Sequence, residues 1–387
     1  MSNPWGEEQP FTISLDGAQW AYGTPLADVK RLAAHWKDGF DWRASETRIN
    51  ALPMYTRDIE VDGFGTLNVH YLHQRSKVKN RFLAVLHGWP GHFLEVEKML
   101  PLLTTASSDQ PSFHVVAPSL PNFGFSEGVK KPGFHEQHYI EVLHKVMLSL
   151  GYEEYVYQGG DWGHVLGASL VTRYGVKHVK AWHTNLPIME PPKLFSNPIL
   201  YLEMIFKLPF DQVAKQRLAH LHKHVTTGRG YMLEQATKPQ TVGYGVTDSP
   251  VGLLGWVYEK LVGWTDAYPW TDDEVLEWVS LHWIYYELSR GGTSSFGGQG
   301  DKWMPIPLGV SYFPKEIFQF PYSWSHQLGK YVYAGYHDKG GHFAAFEQPE
   351  ALAGDLRNMY KKGGLRMGWS REKRFTYDRL LKRMKQK

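Results

Sequence analysis

The chain has 387 residues, no cysteine, and a net charge of +3 from 42 basic and 39 acidic residues. A charge this small does not indicate a nucleic-acid-binding surface, and the lack of cysteine excludes disulfides, thiolate metal sites and cysteine nucleophiles. The sequence contains neither a secretory signal at its N-terminus nor a run of about 18 apolar residues that could span a membrane. We therefore expect a cytoplasmic protein without nucleic-acid or membrane partners.

Apolar and alternating runs predict strands in the first half of the chain. An amphipathic stretch at 28–36 precedes predicted strands at 55–61, 67–72, 82–86 and 114–117, a helix at 136–150, a strand at 155–157 and a helix at 165–174. Strands that alternate with helices indicate a parallel α/β sheet.

The pattern changes after Leu186. Residues 189–300 are predicted to be mainly helical, with Gly and Pro breaks and many aromatics. Strands return at 308–313 and 330–334, and helices follow at 350–362 and in the basic segment from Arg371, which is expected to be solvated. The long middle stretch therefore looks like an insertion into an otherwise continuous α/β domain.

The segment Gly159-Gly-Asp161-Trp-Gly163 lies between a predicted strand and a predicted helix. Small residues on both sides of a nucleophile allow a sharp strand-to-helix turn that holds the side chain above the sheet. Here the residue at the turn is Asp161 rather than the more familiar serine. The alternative is a surface turn in which Asp161 caps the helix.

His87-Gly-Trp89-Pro-Gly91 directly follows the apolar strand predicted at 82–86. In hydrolases with a nucleophile on such a turn, this loop supplies one backbone N–H to an oxyanion hole, and the residue after the nucleophile supplies the other. The donors would be the backbone N–H groups of Trp89 and Trp162. The alternative is an ordinary turn at the end of a strand.

His342 lies in a Gly-rich loop after the last predicted strand, where it could act as a general base over the sheet. It could equally be one of 19 histidines that make routine loop hydrogen bonds. An acid is expected between Asp161 and His342, at the end of a strand. Glu316 follows an apolar strand and a proline and is favoured over Asp338, which shares the loop of His342, and over Asp301, which precedes its strand.

Taken together, these segments resemble the α/β-hydrolase-fold epoxide hydrolases, and most closely the microsomal-type branch that includes soluble fungal enzymes. The resemblance runs through FDWR (from Phe40), INALP, HGWPG, GGDWG, YMLEQATKPQTVG, DSPVGLLGW, FPKE and GGHFAAFEQPE. It implies an α/β-hydrolase core with an inserted helical cap and an N-terminal extension. The expected division is an extension at 1–50 that packs on the core, core segments at 51–188 and 305–387, and a cap at 189–304.

The resemblance also implies the roles of the site residues. Asp161 would be the nucleophile, Glu316 and His342 would form the charge relay, and Tyr231 would be the acid of the lid. A carboxylate is ionised at neutral pH and can open an epoxide of a small apolar substrate, after which water releases a vicinal diol. No metal or organic cofactor is required. Trp89, Trp162 and Phe296 are expected to bind the substrate.

The sequence departs from the family at the second lid tyrosine. At the expected place it has Ser295 or Phe296, and Tyr285 and Tyr286 lie too early to align without a shift. Loss of one donor to a developing alkoxide can cost on the order of 10²–10³ in rate. Four explanations of this departure are open: the enzyme opens epoxides slowly, it acts on activated epoxides, another group donates the proton, or the substrate is a different electrophile.

Three other activities remain open at this stage. The first two are a haloalkane dehalogenase-like hydrolase and a specialised ring-opening or cyclising enzyme, both with the same Asp nucleophile. The third is a ligand receptor on the same fold, which the full set of Asp161, Glu316 and His342 argues against. The oligomeric state is also open, with a homodimer as the candidate.

Overall fold

The computed structural model describes residues 23–77, 81–105, 110–284 and 303–361. Several predicted features lie outside these residues: the beginning of the N-terminal extension, Tyr285 and Tyr286, the position of the second lid tyrosine (Ser295 or Phe296), Asp301, and the basic segment from Arg371.

The strands are β1 (Met54–Val61), β2 (Gly65–Gln74), β3 (Arg81–Leu86), β4 (Phe113–Pro118), β5 (Tyr155–Gly159), β6 (Val179–Thr184), β7 (Met304–Tyr312) and β8 (Gly329–Tyr336). The helices are α1 (Leu26–Asp38), α2 (Trp42–Asn50), α3 (Leu100–Thr104), α4 (Glu136–Ser149), α5 (Trp162–Tyr174), α6 (Pro198–Lys207), α7 (Gln212–Lys223), α8 (Gly230–Thr237), α9 (Pro239–Asp248), α10 (Pro250–Gly263), α11 (Asp272–Ile284), α12 (Ala344–Glu347) and α13 (Pro349–Tyr360). Two 3₁₀ helices span Phe93–Met99 and Tyr322–Gln327, and a π-helical turn spans His224–Gly228.

The strands form one sheet with the order β1-β2-β4-β3-β5-β6-β7-β8. The pairs β1–β2 and β2–β4 are antiparallel, and β3 to β8 run parallel. Successive side chains of a strand point to opposite faces of the sheet, so neighbouring residues pack in different hydrophobic layers. Val116 packs in the layer that contains Leu166 of α5, whereas Val115 packs with Leu356 of α13. The predicted α/β class is confirmed.

The strand β6 and the helix α2 are two of the elements that the sequence patterns missed. No strand was predicted at β6, because Lys180 and His183 interrupt its apolar run, yet Trp182 and His183 are both fully buried in the sheet. No helix was predicted at α2 either. Its N-terminus is capped by Asp41, whose carboxylate accepts hydrogen bonds from the backbone N–H groups of Arg43 and Ala44.

Between β6 and β7 the described chain forms only helical elements, α6 to α11 and the π-helical turn. α1 packs against α10 and α11, where Leu32 is fully buried. Arg31 pairs with Asp272 and His35 with Asp273 at the same contact. The proposed division into extension, core and cap remains a prediction. Within the described ranges, every helix is too short or too polar to cross a membrane.

A buried carboxylate ties α13 to the sheet. Asp355 accepts hydrogen bonds from Tyr333 at 2.7 Å, from His337 at 2.6 Å and from Ser311. Burial alone would raise the pKa of Asp355, but these three donors lower it. A carboxyl group with a lowered pKa stabilises the fold above its unfolded pKa of about 3.9 and loses that contribution as the pH falls.

We expect Asp355→Ala to reduce the free energy of unfolding by about 3 kcal/mol at pH 7, because the buried Ser311 and the half-buried Tyr333 and His337 lose their partner. Denaturant unfolding measures the change, and the difference from the unaltered protein should shrink below about pH 4. Glu350→Gln, at an exposed position of the same helix, is the control and should stay within about 0.5 kcal/mol. Equal stability of the two variants at pH 7 would contradict this account.

Candidate active site

Four of the predicted site residues each follow a parallel strand. Trp89 comes after β3, Asp161 after β5, Glu316 after β7 and His342 after β8. The carboxyl ends of parallel strands meet at one edge of the sheet, where open α/β sheets bind their ligands. There the backbone of Trp89 and the side chains of Asp161, His342 and Glu316 form a series of contacts, so the structure brings together residues that are far apart in the sequence.

Asp161 occupies a strained turn between β5 and α5. Its backbone has φ 51° and ψ −127°, a region that residues other than glycine rarely adopt. The turn depends on small neighbours, since a methyl group at Gly159 would lie 2.6 Å from the backbone of Gly163. A methyl group at Gly88 would overlap the Asp161 side chain itself. The geometry is that of a nucleophile held above a sheet at the start of a helix.

Both carboxylate oxygens of Asp161 have partners. Oδ1 accepts a hydrogen bond of 2.8 Å from the backbone N–H of Trp89, and Oδ2 lies 3.2 Å from Nε2 of His342. Trp162 begins α5, whose N-terminal end carries partial positive charge beside this carboxylate. The predicted loop donor Trp89 therefore reaches Asp161 directly, and the role of the Trp162 N–H remains a prediction.

His342 is fixed on its other side by Glu316. Nδ1 of His342 lies 2.8 Å from Oε1 of Glu316, which also accepts a hydrogen bond from the backbone N–H of Ile317. Glu316 is only 2% exposed, whereas the rival Asp338 is exposed on the surface. Burial disfavours the charged imidazole, but the negative charges of Glu316 and Asp161 prevail and raise the pKa of His342 well above its usual value.

Tyr231 lies on α8 above the loop donor. Its ring stacks on Trp89, with centroids 5.1 Å apart and planes 12° apart, and packs against Trp264 at 5.1 Å. Burial raises its pKa well above the usual value, and the negative charges of Asp161 and Glu316 act in the same direction. The phenol therefore keeps its proton at neutral pH and can donate a hydrogen bond, although the raised pKa makes it a weaker acid than a free tyrosine.

Sequence reasoning missed two residues of this site. Trp264 accepts a hydrogen bond from the backbone N–H of His342 at 2.8 Å, and its ring meets the imidazole edge to face at 5.0 Å. Glu95 lies in the 3₁₀ helix after the Trp89 loop and lines the same cavity as Asp161. No motif marks either residue. The chain contains 15 tryptophans, but composition does not say which ring faces a site.

Two side chains of α11 hold the loop that carries Trp89 in place. The carbonyl of Pro90 accepts hydrogen bonds from the indole N–H of Trp278 at 2.6 Å and from the His282 ring at 2.8 Å. Both donors lie on α11, so the helices that pack over the sheet also fix the loop donor. Among the described residues, no group of three or more His, Asp or Glu side chains is arranged to hold a metal ion.

Two sequence families match the chain. The model described as "alpha/beta hydrolase fold" matches residues 83–240, and the one described as "Epoxide hydrolase N terminus" matches residues 7–96. The first includes Trp89 and Asp161, and the second ends in the 3₁₀ helix that carries Glu95. The α/β-hydrolase fold expected from the motifs is confirmed.

Known proteins give the same assignment over nearly the whole chain. Epoxide hydrolase 1 of Sus scrofa is 31% identical over 91% of this chain and 83% of its own length. The solved epoxide hydrolase of Aspergillus niger is 32% identical with a TM-score of 0.74, and covers 91% of this chain and 89% of its own. The juvenile hormone epoxide hydrolase structure of Bombyx mori is 28% identical with a TM-score of 0.76, and covers 90% and 88%. The chain belongs to the epoxide hydrolase family of the α/β-hydrolase fold.

The contact between Glu316 and His342 leads to a pH prediction. Replacing the carboxylate by a neutral amide in Glu316→Gln removes a charge that raises the pKa of His342. We expect the acidic limb of the pH–rate profile for epoxide turnover to move to lower pH, and the rate at pH 7 to fall by roughly 10²-fold because the imidazole is no longer oriented.

Asp338→Asn is the matched control for this change, because the exposed Asp338 has no part in the chain of contacts. It should turn over the epoxide at the rate of the unaltered protein. If Asp338→Asn is crippled while Glu316→Gln is not, the assignment of the acid is wrong.

Proposed function

We propose that the protein opens an epoxide to a vicinal diol through a covalent ester on Asp161. The observation that carries the proposal is the continuous chain of contacts from Trp89 through Asp161 and His342 to Glu316, with the phenol of Tyr231 above it. An ionised carboxylate on a strained turn is a nucleophile that needs no activation. The aromatic rings of Trp89, Tyr231 and Trp264 favour a substrate with an apolar surface.

In the first step, a carboxylate oxygen of Asp161 attacks a ring carbon of the epoxide. A new C–O ester bond forms, the C–O bond of the ring breaks, and the leaving oxygen takes the proton of the Tyr231 hydroxyl. Burial raises the pKa of Tyr231 and makes the phenol a weaker acid, but an alkoxide is a strong enough base to take its proton. The phenol carries its proton at neutral pH before the step, and the phenolate readily regains a proton from solvent afterwards.

In the second step, water hydrolyses the ester. His342 takes a proton from the water, whose oxygen attacks the carboxyl carbon of Asp161, and the oxyanion that forms is stabilised by the backbone N–H groups of Trp89 and Trp162. The ester bond then breaks, and the diol oxygen takes the proton from His342. The Asp161 carboxyl group releases the remaining proton of the water to solvent, which balances the proton that Tyr231 took up and restores the carboxylate. Esterification also removes the negative charge of Asp161, which lowers the pKa of His342 and prepares it to act as a base.

The experiment that tests this function uses His342→Gln. This variant should form the ester but hydrolyse it slowly, by about 10²–10⁴-fold. After mixing with an aryl epoxide, intact-protein mass spectrometry should detect an added mass equal to that of the substrate. A peptide map should assign it to Asp161. Unmodified protein with normal diol formation would overturn the proposal.

Tyr231→Phe tests the acid separately. We expect ester formation from an epoxide to slow by about 10²–10³-fold, because the developing alkoxide loses its donor, while hydrolysis of an ester already formed is spared. Rapid-quench measurement of the two steps gives both rates. Tyr244→Phe, at a position of α9 that is 70% exposed, is the control and should match the unaltered protein.

A haloalkane substrate distinguishes a dehalogenase-like activity from epoxide opening in the same assay. Halide leaves without a proton, so a dehalogenase would release it at a rate that Tyr231→Phe does not change. Fast halide release together with no turnover of epoxides would replace the proposed substrate while retaining the Asp161 ester.

A further inference from the structure

A small cavity adjoins the nucleophile. Its volume is about 30 Å³, and Trp89, Glu95, Asp161 and His342 are among the residues that line it. A space of this size has room for about one or two water molecules, provided that polar groups are there to bind them. The reaction proposed above consumes one water, which must meet both His342 and the carboxyl carbon of Asp161.

Glu95 is one of the polar residues of this cavity that the reaction as described does not use; the others are His87, His92, Gln158 and Asn185. Its carboxyl group folds back towards the Trp89 loop, where a methyl group at Gly91 would overlap it. The backbone N–H of Glu95 donates to the carbonyl of His92, but no hydrogen bond joins its carboxyl group to another described residue. A carboxyl group that lines a cavity without a protein partner is expected to bind water, since buried polar groups otherwise lose their hydrogen bonds.

The protonation state of Glu95 is compatible with its position beside Asp161. Burial raises the pKa of Glu95 to about 8, with the nearby charge of Asp161 acting in the same direction and His342 opposing both. The group is therefore mostly neutral at pH 7 and adds little negative charge beside the nucleophile. A neutral carboxyl group still offers a carbonyl oxygen that accepts a hydrogen bond from water.

We propose that Glu95 is a positioning residue, which holds the hydrolytic water between its carboxyl group and Nε2 of His342 while the Asp161 ester is hydrolysed. This inference rests on the proposed function. The water gives one proton to His342 and directs its second hydrogen to Glu95, so that a lone pair of its oxygen faces the ester carbon. Glu95 keeps its own proton throughout, and no step requires a further reactant.

The positioning role predicts a defect in one step only. Ester formation needs no water, whereas ester hydrolysis does. A misplaced reactant can cost about 10²-fold in rate. A residue with only a structural role would slow both steps together or lower the stability without separating them.

Three variants measured by rapid quench and intact-protein mass spectrometry test the role. Glu95→Leu should form the ester within about threefold of the normal rate but hydrolyse it about 10²-fold more slowly, so that alkylated protein accumulates. Glu95→Gln should retain most of the hydrolysis rate, because a neutral amide also presents a carbonyl oxygen. Glu97→Leu, which alters a carboxylate of the same 3₁₀ helix that pairs with Arg48, should match the unaltered protein in both steps.

Gly91→Ala provides an independent test without changing Glu95. The added methyl group displaces the Glu95 carboxyl, so this variant should also accumulate the ester. If Glu95→Leu does not fold, Gly91→Ala and Glu95→Gln together still test the role of Glu95. Normal ester hydrolysis in both Glu95→Leu and Gly91→Ala, or equal slowing of both steps, would overturn the role of Glu95. Failure of His342→Gln to form any ester would instead overturn the proposed function, so the two failures are distinguishable.

Discussion

The arrangement of the site depends on the strained backbone at Asp161. A positive φ at a residue with a side chain costs on the order of 1–3 kcal/mol and persists only where the surroundings enforce it. Here a methyl group at Gly159 would meet the backbone of Gly163 in α5, and a methyl group at Gly163 would meet the backbone of Leu86 at the end of β3, so neither position has room for a side chain. This turn presents the carboxylate to the backbone N–H of Trp89 on one side and to His342 on the other.

The helices inserted between β6 and β7 complete the site that the sheet begins. α8 contributes Tyr231, which stacks on Trp89, and the chain just after α10 contributes Trp264, which holds the backbone of His342. α11 fixes the carbonyl of Pro90 within the donor loop. Because these contacts reach residues of the proposed chemistry or the loop that carries them, displacement of the helices would change the partners of Asp161 as well as the pocket wall.

The sequence was sufficient for the parts of the site that have local signatures. Asp161, Trp89 and His342 each sit in a Gly-rich segment after an apolar strand, and such segments are visible in one chain. Glu316 could be ranked above Asp338 because it follows a strand and a proline. The contact of 2.8 Å with His342 could not be foreseen, since it depends on how β7 and β8 pair.

Other parts of the structure have no local sequence pattern that predicts them. β6 is a strand buried in the sheet that contains Lys180 and His183, so its apolar pattern is broken even though Trp182 and His183 are fully buried. Glu95 resembles any acidic residue of a short helix until the fold brings its carboxyl group into the cavity beside Asp161. Trp264 is likewise one of 15 tryptophans in the chain until its carbonyl meets the backbone of His342.

The central claim is that the nucleophile is the protein's own carboxylate rather than water. A single turnover in ¹⁸O-labelled water, with the protein in excess over the epoxide, measures this directly. The account predicts a first-turnover diol without label, because its new oxygen comes from Asp161, and ¹⁸O in the peptide that contains Asp161. Label in the diol at the first turnover, with none in that peptide, would contradict the account.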